Sequence, residues 1–595
     1  MHSFAARLII AISFLGLSFS TALAKGNFDG PAELPRVTVA SSMADTPAPG
    51  SIISVNAGGD LKAALQRAFC GDTIELQAGA TFAGRFEFPA KSCDAGHWII
   101  IRTSAPDSAL PQPGQRITPC YAGVASLPGR PQYTCVNPHK VLATIQSNVE
   151  NDGPIVFLKG ANHFRLIGLE ITRVTGLRNP PVLVSVEPAG VADHIVIDRS
   201  WLHGTTHDDT QAGVSLNGSN FVAMIDSYFS DFHCTQATGA CTDAHAIGGG
   251  NGTHQDGPYK ISNNFLEASG EAVMFGGGPA TVTPADIEIL HNHFFKPWIW
   301  MPGNKNFVGG AGGHAFIVKN HLELKNAARV LIEGNLIENN WGGFTQKGYA
   351  VLLTPKNGIN RYGQLICPLC VVTDVTIRYT HISHAGGGIQ MATSISGNKG
   401  NGGAALAGTR WSLHDLVIDD INQSYVGGGN LFLVMNGWLK NPVNTITINH
   451  VTGFPDSGAH LLMIGNQISK PSMYGFIFMN NMVMTGSFPV WSSGGGLTSC
   501  AAKGTPIEKI KKCFTTYTFT NNALIASPAA FPPSSWPAGN FFPADATAAG
   551  FVQYDSGNGG DYSLEAGSRY KNAGTDGRDL GADIAGLKSA LAGVE

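Results

Sequence analysis

A short phrase in which large apolar residues alternate with polar ones recurs along the chain. Four of its copies are FRLIGLEIT, HIVIDRSWLHG, YKISNNFLEAS and FIFMNNMVMTG, which begin at Phe164, His194, Tyr259 and Phe476. Alternation with a period of two, in runs rich in Ile, Val and Phe, predicts β-strands, and the Gly, Asn, Asp and Pro residues between the runs predict turns. No long segment has the 3.6-residue period of an amphipathic helix. The pattern therefore predicts an all-β protein.

One position in each copy holds a small polar residue or glycine. Aligning ten copies on it gives Gly168, Ser200, Ser227, Asn264, Asn292, Asn335, Thr380, Asp420, Asn449 and Asn481. Successive members lie from 27 residues apart (227 − 200) to 45 apart (380 − 335). A stacked coil with loops of variable length gives such spacing, and it lets the stacked Asn amides satisfy backbone groups of the turns. An antiparallel sandwich gives no reason for a shared polar position, so we predict a right-handed parallel β-helix.

This pattern divides the chain into three parts. Residues 1–24 have the positively charged start, the apolar run and the A-x-A cleavage pattern of a signal peptide. Residues 25–53 are expected to be an N-terminal linker. Residues 54–595 are expected to form one β-helix domain with loop insertions and a C-terminal cap. A short amphipathic helix carries Leu61, Leu65 and Phe69 at four-residue spacing. We expect this helix to cover the open N-terminal edge of the sheets. Residues 106–140 are expected to be a loop excursion.

Composition narrows the partners and the location. The 595 residues carry a net charge of −4, which argues against nucleic acid as the main partner because phosphate binding needs a basic surface. The signal peptide predicts a protein secreted to the periplasm or the extracellular space. No other segment is long and apolar enough to predict a membrane span. We expect the protein to be a monomer.

Ten cysteines in an exported chain predict disulfides. They fall into neighbours along the sequence, and we predict that these neighbours pair: Cys70 with Cys93, Cys120 with Cys135, Cys234 with Cys241, Cys367 with Cys370, and Cys500 with Cys513. The alternative for the third pair is a metal site with His233 and His245, although its spacing matches no common zinc pattern.

The recurring phrases, the opening GGDLKAAL followed by GDTIEL, and the ending DLGAD together resemble the pectin-lyase-like superfamily of right-handed β-helix proteins. The resemblance covers residues 54–587. That superfamily contains pectate lyases, polygalacturonases, alginate lyases, chondroitinases and epimerases, and also proteins with no known activity. The resemblance therefore implies the fold and leaves the function open.

A narrower similarity lies at NNFLEASGEAVMF, which looks like the region of alginate lyases and chondroitinase B where N-x-F is followed by G-E-x-E. Asn264 and Glu271 match that pattern, whereas Val273 stands in the place of the second glutamate and FGGG follows where that family has a lysine. The similarity implies a Ca²⁺ site near the sugar carboxylate, with Asn264, Glu267 and Glu271 as candidate ligands. The alternative is that the glutamates cap turn amides.

The stretch VKNHLELK, residues 318–325, supplies the candidate catalytic residues. Leu322 and Leu324 share one parity and are expected to point inward. The residues of the other parity are expected to point outward along one strand face: Lys319, His321, Glu323 and Lys325. Cations there could neutralise a uronate carboxylate, and a basic side chain could remove the neighbouring proton. The alternative is a solvated strand face with paired charges.

Trp298 and Trp300, in FFKPWIWMPGNKNF, and His314 are candidate substrate-binding residues. Aromatic rings on a loop can stack on the apolar faces of sugars, but packing in a core is an equal alternative. Ten of the nineteen histidines lie between His194 and His321, and this enrichment fits a wet, polar groove.

These features predict a carbohydrate-active protein whose ligand is an acidic polysaccharide. The first hypothesis is a polysaccharide lyase that cleaves a uronate-containing polymer by β-elimination. A hydrolase or epimerase on the same scaffold is the first alternative, and hydrolysis would need two carboxylates separated for acid and base roles. A non-catalytic glycan-binding or surface β-helix is the second.

Overall fold

The computed structural model is a β-helix in which each regular coil places one strand on each of three faces. It describes residues 28–595 except 178–181, 189, 237–240, 255, 345, 359, 361, 363, 394–405, 407, 437–441, 467–472, 493–499 and 502. Successive coils pair in parallel, as where Val222 lies beside Tyr259 and Tyr259 beside Ile287. The predicted right-handed parallel β-helix is confirmed. The predicted signal peptide lies outside the described residues.

The first face, called sheet A, carries 12 strands. They are Phe86–Phe88, Ile155–Phe157, Val182–Val186, Ala212–Ser215, His245–Gly249, Glu271–Phe275, Leu322–Leu324, Tyr349–Leu353, Gly387–Thr393, Phe432–Asn436, Leu462–Asn466 and Val490–Ser492.

The other two faces, sheets B and C, meet at a tight turn within each coil. The strands of sheet B are Ile52–Val55, Thr73–Leu76, Ile99–Thr103, Asn162–Ile167, Ala192–Asp198, Ser219–Ile225, Tyr259–Ser262, Ala285–Leu290, Ala327–Glu333, Val372–Arg378, Tyr474–Met479 and Tyr517–Thr520. The strands of sheet C are Thr81–Ala83, Ala143–Ser147, Leu169–Arg173, Trp201–His203, Tyr228–Phe232, Phe265–Ala268, His293–Phe295, Leu336–Asn340, His381–Ala385, Met482–Met484 and Ala523–Ile525. Two long strands, Gly408–Ile418 and Asn444–Gly453, run through both faces and join them into one sheet of 25 strands.

Short elements complete the described part of the chain. The α-helices are Leu61–Arg67, Pro506–Cys513, Ala546–Ala549 and Ile584–Ala590. The 3-10 turns are Asp107–Ala109, Pro119–Tyr121, Trp298–Trp300, Ala311–Gly313, Gln423–Tyr425, Pro533–Ser535 and Asp555–Gly557. Two antiparallel pairs lie outside the coils: Phe28–Asp29 with Ala32–Glu33, and Phe551–Gln553 with Asp561–Leu564.

The core is the interior of the coil, where like positions stack. One column of sheet B consists of side chains that are at most 3% exposed: Ile195, Val222, Tyr259, Ile287 and Val330. Burying an apolar side chain of this size contributes about 1.5–3 kcal/mol. The period-two pattern of the sequence places one such side chain inward in every coil, and the column follows from it.

A ladder of polar side chains runs through the turn between sheets B and C. The backbone N–H of Asn264 donates to Oδ1 of Asn292 (2.9 Å), and the N–H of Asn292 donates to Oδ1 of Asn335 (2.9 Å). The series extends to Ser227, whose N–H donates to Oδ1 of Asn264 (3.0 Å). Each rung satisfies a backbone donor that would otherwise be buried without a partner. The stacking predicted for these residues is confirmed.

The N-terminal end of the coil is covered as predicted. Asp60 caps the helix Leu61–Arg67 by accepting from the N–H of Ala63 (2.9 Å), and Leu61 and Leu65 are buried. The helix ends before Phe69, which is 79% exposed, so that residue is not part of the buried stripe.

Residues 28–50, predicted to be a linker, are held on the outside of the coil. Asp29 accepts from Arg378 at 2.7 Å, and the N–H of Glu33 donates to Asp374 at 3.2 Å. The residues expected as a C-terminal cap also lie along the side of the coil, because Ala590 reaches His291 (3.0 Å). Residues 28–50 and the C-terminal residues therefore pack against the outside of the coil on the side of sheets B and C.

All five predicted disulfides are present, and the described part of the chain holds no free cysteine. The bond between Cys234 and Cys241 rules out the metal alternative for that pair. None of the helices in the described residues is long and apolar enough to cross a bilayer.

Candidate functional site

A groove of about 540 Å³ lies on the outer face of sheet A and spans the strands from Val182–Val186 to Leu322–Leu324. Glycine, serine and asparagine residues form much of its surface, and the charged residues gather at one end. The ionisable residues that line it are Asp243, His245, Lys319, Lys325 and Lys356. We call this end the lysine cluster.

Lys319 stands between two carboxylates. Its Nζ makes a short ion pair with Asp243 and lies 3.6 Å from Oε1 of Glu271. The Lys319 side chain is 10% exposed and that of Glu271 is fully buried. A third carboxylate, Glu323, pairs with Nζ of Lys325 at 3.2 Å. The lysine cluster is therefore a network of alternating charge that is buried except at Asp243, whose side chain is 32% exposed.

Local sequence explains why these side chains meet. Leu322 and Leu324 point into the core, so Glu323 between them points out, as predicted. Lys319 is fixed before the strand by its N–H, which donates to the carbonyl of Ser269 (3.1 Å), and Lys325 is fixed after it by a bond to Phe275 (2.7 Å). The predicted outward placement of Lys319, Glu323 and Lys325 agrees with the structure.

Burial sets the electrostatics of the carboxylates. Burial raises the pKa of Glu271 to about 8, although Lys319 opposes the rise. Burial also tends to raise the pKa values of Glu323 and Asp243. For Glu323 the charge of Lys325 outweighs this effect, and for Asp243 the charge of Lys319 does, so both pKa values lie below the usual range. One of the three acids thus holds its proton at neutral pH while two are ionised.

Burial and neighbouring charges also shift the pKa values of the basic side chains, and they shift them in different directions. Burial opposes the charge of Lys319, but Glu271 and Asp243 raise its pKa above the ordinary lysine value. Lys356 has no such close partner among the residues that the structure describes; burial, reinforced by the Lys325 charge, lowers the pKa of Lys356. Burial lowers the pKa of His245 to about 4, so this imidazole is neutral at neutral pH. The cluster therefore combines fixed cations with a lysine that gives up its proton more readily.

The raised pKa of Glu271 predicts stability that falls as the pH rises. The folded protein holds this proton up to about pH 8, whereas an ordinary glutamate releases it near 4.5, so the contribution is complete below 4.5 and is lost as the pH rises through 8. We expect Glu271→Gln to flatten the dependence of the free energy of unfolding on pH within that window. Chemical denaturation over a pH series measures this. The exposed Glu87→Gln is the control, and a slope unchanged in Glu271→Gln would contradict the raised pKa.

His321 is not on the groove face, contrary to the parity prediction. Its side chain is fully buried; Nδ1 lies 3.5 Å from Nζ of Lys296, and Nε2 lies 3.3 Å from the carbonyl of Asn339. The strand begins only at Leu322, so the turn before it breaks the alternation and directs His321 inward. Burial lowers its pKa well below the ordinary value.

The candidate calcium ligands do not come together. Both polar ends of Asn264 are used in the ladder, where its Nδ2 donates to Met224 (3.0 Å) and its Oδ1 accepts from Ser227 (3.0 Å). Glu267 lies on sheet C and receives two hydrogen bonds from Arg130, each 2.8 Å. The prediction that Asn264, Glu267 and Glu271 form one metal site is therefore wrong.

The lysine cluster itself is also a poor match to calcium. Ca²⁺ needs six to eight oxygen ligands around an open centre. Here the ammonium of Lys319 already stands between Asp243 and Glu271, and Lys325 neutralises Glu323. A divalent cation would have to displace an ammonium group, so these residues do not fit calcium.

The three candidate sugar-binding residues do not line the groove. Trp300 is fully buried against Phe316, so its ring faces are not open to a sugar. Trp298 stacks on Tyr425 with ring centroids 4.9 Å apart. His314 is exposed and follows the turn Ala311–Gly313. For the two tryptophans the packing alternative is the one that the structure has.

Sequence reasoning missed Asp243, His245 and Lys356 as groove residues. Each lies on a different coil from Lys319, and loops of unequal length separate them along the chain. No local motif marks them. The structure shows that they are neighbours of the cluster: His245 pairs with Glu271 on the adjacent strand, Asp243 pairs with Lys319, and the N–H of Lys356 donates to Lys325.

Comparison with known proteins finds similarity only among solved structures, and at low identity. No protein-family model matches the chain, and no curated protein matches it significantly. Among solved structures, an alginate lyase from Paenibacillus sp. str. FPU-7 is similar at 13% identity over 80% of this chain and 99% of that chain, with a TM-score of 0.31. A PL6 family polysaccharide lyase from Pseudopedobacter saltans is similar at 11% identity over 82% and 95%, with a TM-score of 0.41.

A third similar structure is the catalytic unit of a GH87 α-1,3-glucanase from Streptomyces thermodiastaticus strain HF3-3. It shares 11% identity over 83% of this chain and 70% of that chain, with a TM-score of 0.44. Similarities of this size do not identify an activity, because one fold carries many functions. The function has to be inferred from the groove itself.

Proposed function

We propose that the protein is an exported, carbohydrate-active β-helix protein, and specifically a polysaccharide lyase that cleaves a uronate-containing polymer by β-elimination. The observation that supports this most is the convergence of Lys319, Lys325 and Lys356 on one groove. Five disulfides fit a protein that folds in an oxidising compartment outside the cytoplasm. Since one chain supplies the whole groove, we also propose that the monomer is the working unit.

The lysine cluster offers what the first step of elimination needs. The proton on C5 of a uronate is weakly acidic, and it becomes easier to remove when a cation neutralises the adjacent carboxylate. Lys325 lines the groove and is proposed to bind that carboxylate. Lys319 is proposed to contribute its charge beside it and to hold Asp243 and Glu271 in place. The cations take the role that a metal ion would otherwise have.

Lys356 is proposed to be the base. Its lowered pKa provides a neutral amine at a lower pH than an ordinary lysine would. The amine takes the C5 proton, the electrons of that bond form the C4–C5 double bond, and the bond from C4 to the glycosidic oxygen breaks. The proton then passes from the Lys356 ammonium to the leaving oxygen. The products are a new chain end with a hydroxyl group and an unsaturated uronate.

Replacing the proposed base should remove most of the activity. We expect Lys356→Met to lower kcat about 10²–10⁴-fold, the usual contribution of a general base. In the wild type the rate should rise with pH as Lys356 loses its proton, and this rise should disappear in the variant. Steady-state rates across a pH series measure both effects. Lys347→Met removes an exposed lysine outside the groove and should leave the rate unchanged; equal rates for wild type and Lys356→Met would contradict the assignment.

Product analysis tests the function as a whole. The purified protein is incubated with pectate, alginate and chondroitin, with and without a chelator, and the products are analysed by mass spectrometry. Elimination gives fragments that lack one water relative to hydrolysis products, and we expect them in the presence of chelator. Fragments that have gained water would identify a hydrolase, and altered uronates in an intact chain would identify an epimerase. Binding without any product would identify a glycan-binding protein.

A further inference from the structure

On one side of the lysine cluster, the strands that form the groove carry small side chains. Glu323, Met274, Gly248 and Ser215 lie opposite one another on successive strands of sheet A. Ser185 follows on the next strand, since its neighbour Val184 pairs with Val214. The three positions farthest from Glu323 carry a hydrogen or a hydroxymethyl group and are partly exposed. The trough that these three positions form spans two strand spacings, about 10 Å, and Met274, which lines the groove but is only 6% exposed, separates it from Glu323.

The same row is covered on the other side of the cluster. Glu323 pairs with Leu352, Leu352 with Gln390, and Gln390 with Leu433. These outward side chains are only 3%, 7% and 6% exposed, respectively. Although they continue the row and are about as covered as Met274, none of the three lines the groove, whereas Met274 does. The groove therefore extends from the lysine cluster toward the N-terminal coils only.

A segment that follows the strand Tyr349–Leu353 lies beside the lysine cluster. The N–H of Lys356 donates to the carbonyl of Lys325 (3.2 Å), which ties the start of this segment to the cluster. Farther along, Ile366 accepts from the N–H of Ala280 (3.0 Å), and the Cys367–Cys370 disulfide is buried against Ala280. The segment is thus attached to two successive coils, those of Glu271–Phe275 and Leu322–Leu324, and forms a fixed wall beside the lysine cluster.

We propose that the groove is a one-ended cleft that receives a terminus of the uronate polymer, so that cleavage is exolytic. The terminal unit would lie at Lys325 and Lys356, and the rest of the polymer would run over Gly248, Ser215 and Ser185. This inference rests on the proposed lyase function. A polymer that crossed the lysine cluster in both directions would have to lie on Leu352 and Gln390, which are covered. A terminus needs only the open side.

The distribution of products over time tests this inference. With the polymer that the wild-type protein cleaves, we expect the shortest unsaturated fragments from the earliest time points, without a ladder of intermediate lengths. The viscosity of the solution should fall slowly relative to the number of bonds broken. A broad ladder and a rapid loss of viscosity would overturn the one-ended cleft while leaving the lyase function intact. Absence of unsaturated product with every polymer would overturn the lyase function, and the inference with it.

A variant in the open arm provides a second test. Ser215→Trp fills the trough two strands beyond Met274, so it should block the polymer without touching the lysines. We expect KM for long oligouronides to rise about tenfold or more, which corresponds to about 1.4 kcal/mol of lost binding. Ser424→Trp places the same ring on an exposed turn outside the groove and should have no effect. A KM unchanged by Ser215→Trp would overturn the proposed path of the polymer.

Discussion

Lys319→Ala is expected to abolish lyase activity and to destabilise the fold. The substitution removes the cation that separates Asp243 from Glu271, and it leaves the ionised Asp243, whose side chain is 32% exposed, without its partner. Breaking a fully buried ion pair from one side costs about 3–5 kcal/mol, and water at the Asp243 carboxylate should reduce this loss to about 1–3 kcal/mol. Loss of a positive charge beside the reacting carboxylate should lower kcat about 10²–10³-fold, the usual effect of removing one electrostatic contact in the transition state. Chemical denaturation and steady-state kinetics measure the two effects.

A matched pair of variants separates stability from catalysis. Lys319→Met combined with Asp243→Asn removes the cation and the ionised acid that it pairs with, so this double variant should recover part of the lost stability. It should not recover the activity, because the positive charge is still missing. Wild-type activity in a folded Lys319 variant would show that the lysine cluster is not the catalytic site.

The second large effect is expected on sheet C. Arg130, within the excursion over residues 106–140, donates to Asp231 (2.6 Å) and makes two bonds to Glu267 (2.8 Å each). Its side chain is 4% exposed and its guanidinium lies 5.2 Å from the ring centroid of Trp300. We expect Arg130→Met to lower the free energy of unfolding by about 3–5 kcal/mol, because two buried carboxylates lose their counter-charge.

Denaturant titration measures this loss, and an exposed arginine supplies the control. Arg36 pairs with Glu33 at the surface with its side chain 60% exposed, and Arg36→Met should cost no more than about 1 kcal/mol. Equal effects of the two substitutions would mean that the excursion is not fastened through Arg130. Adding Glu267→Gln to Arg130→Met should restore part of the stability, since one of the two unpaired charges is then gone.

The fold could be predicted from sequence because the stacking of coils requires the same short residue pattern in every repeat. Each coil needs apolar residues at alternate positions and a polar residue at the tight turn, so Asn264, Asn292 and Asn335 could be aligned without knowing any contact. The alignment fails where the turn is absent. Asn449 lies within one of the long strands that run through sheets B and C, and its partner there is His414.

The candidate site was only partly predictable, because it depends on which coils stack in which register. Parity placed Glu323 correctly, since it lies inside a strand, and misplaced His321, which precedes the strand. Lys356 and Asp243 join the groove only after loops of unequal length have brought their coils together. Similarity to a motif was misleading for Glu267, which lies on sheet C and is held by Arg130.

The most direct test of the lyase assignment is the ultraviolet absorbance of unsaturated uronate ends formed by the wild-type protein and by Lys356→Met on the same polymer. An increase for the wild type that persists in chelator and is lost in Lys356→Met is the predicted result. No increase with any uronate polymer, or an equal increase for both proteins, would contradict it.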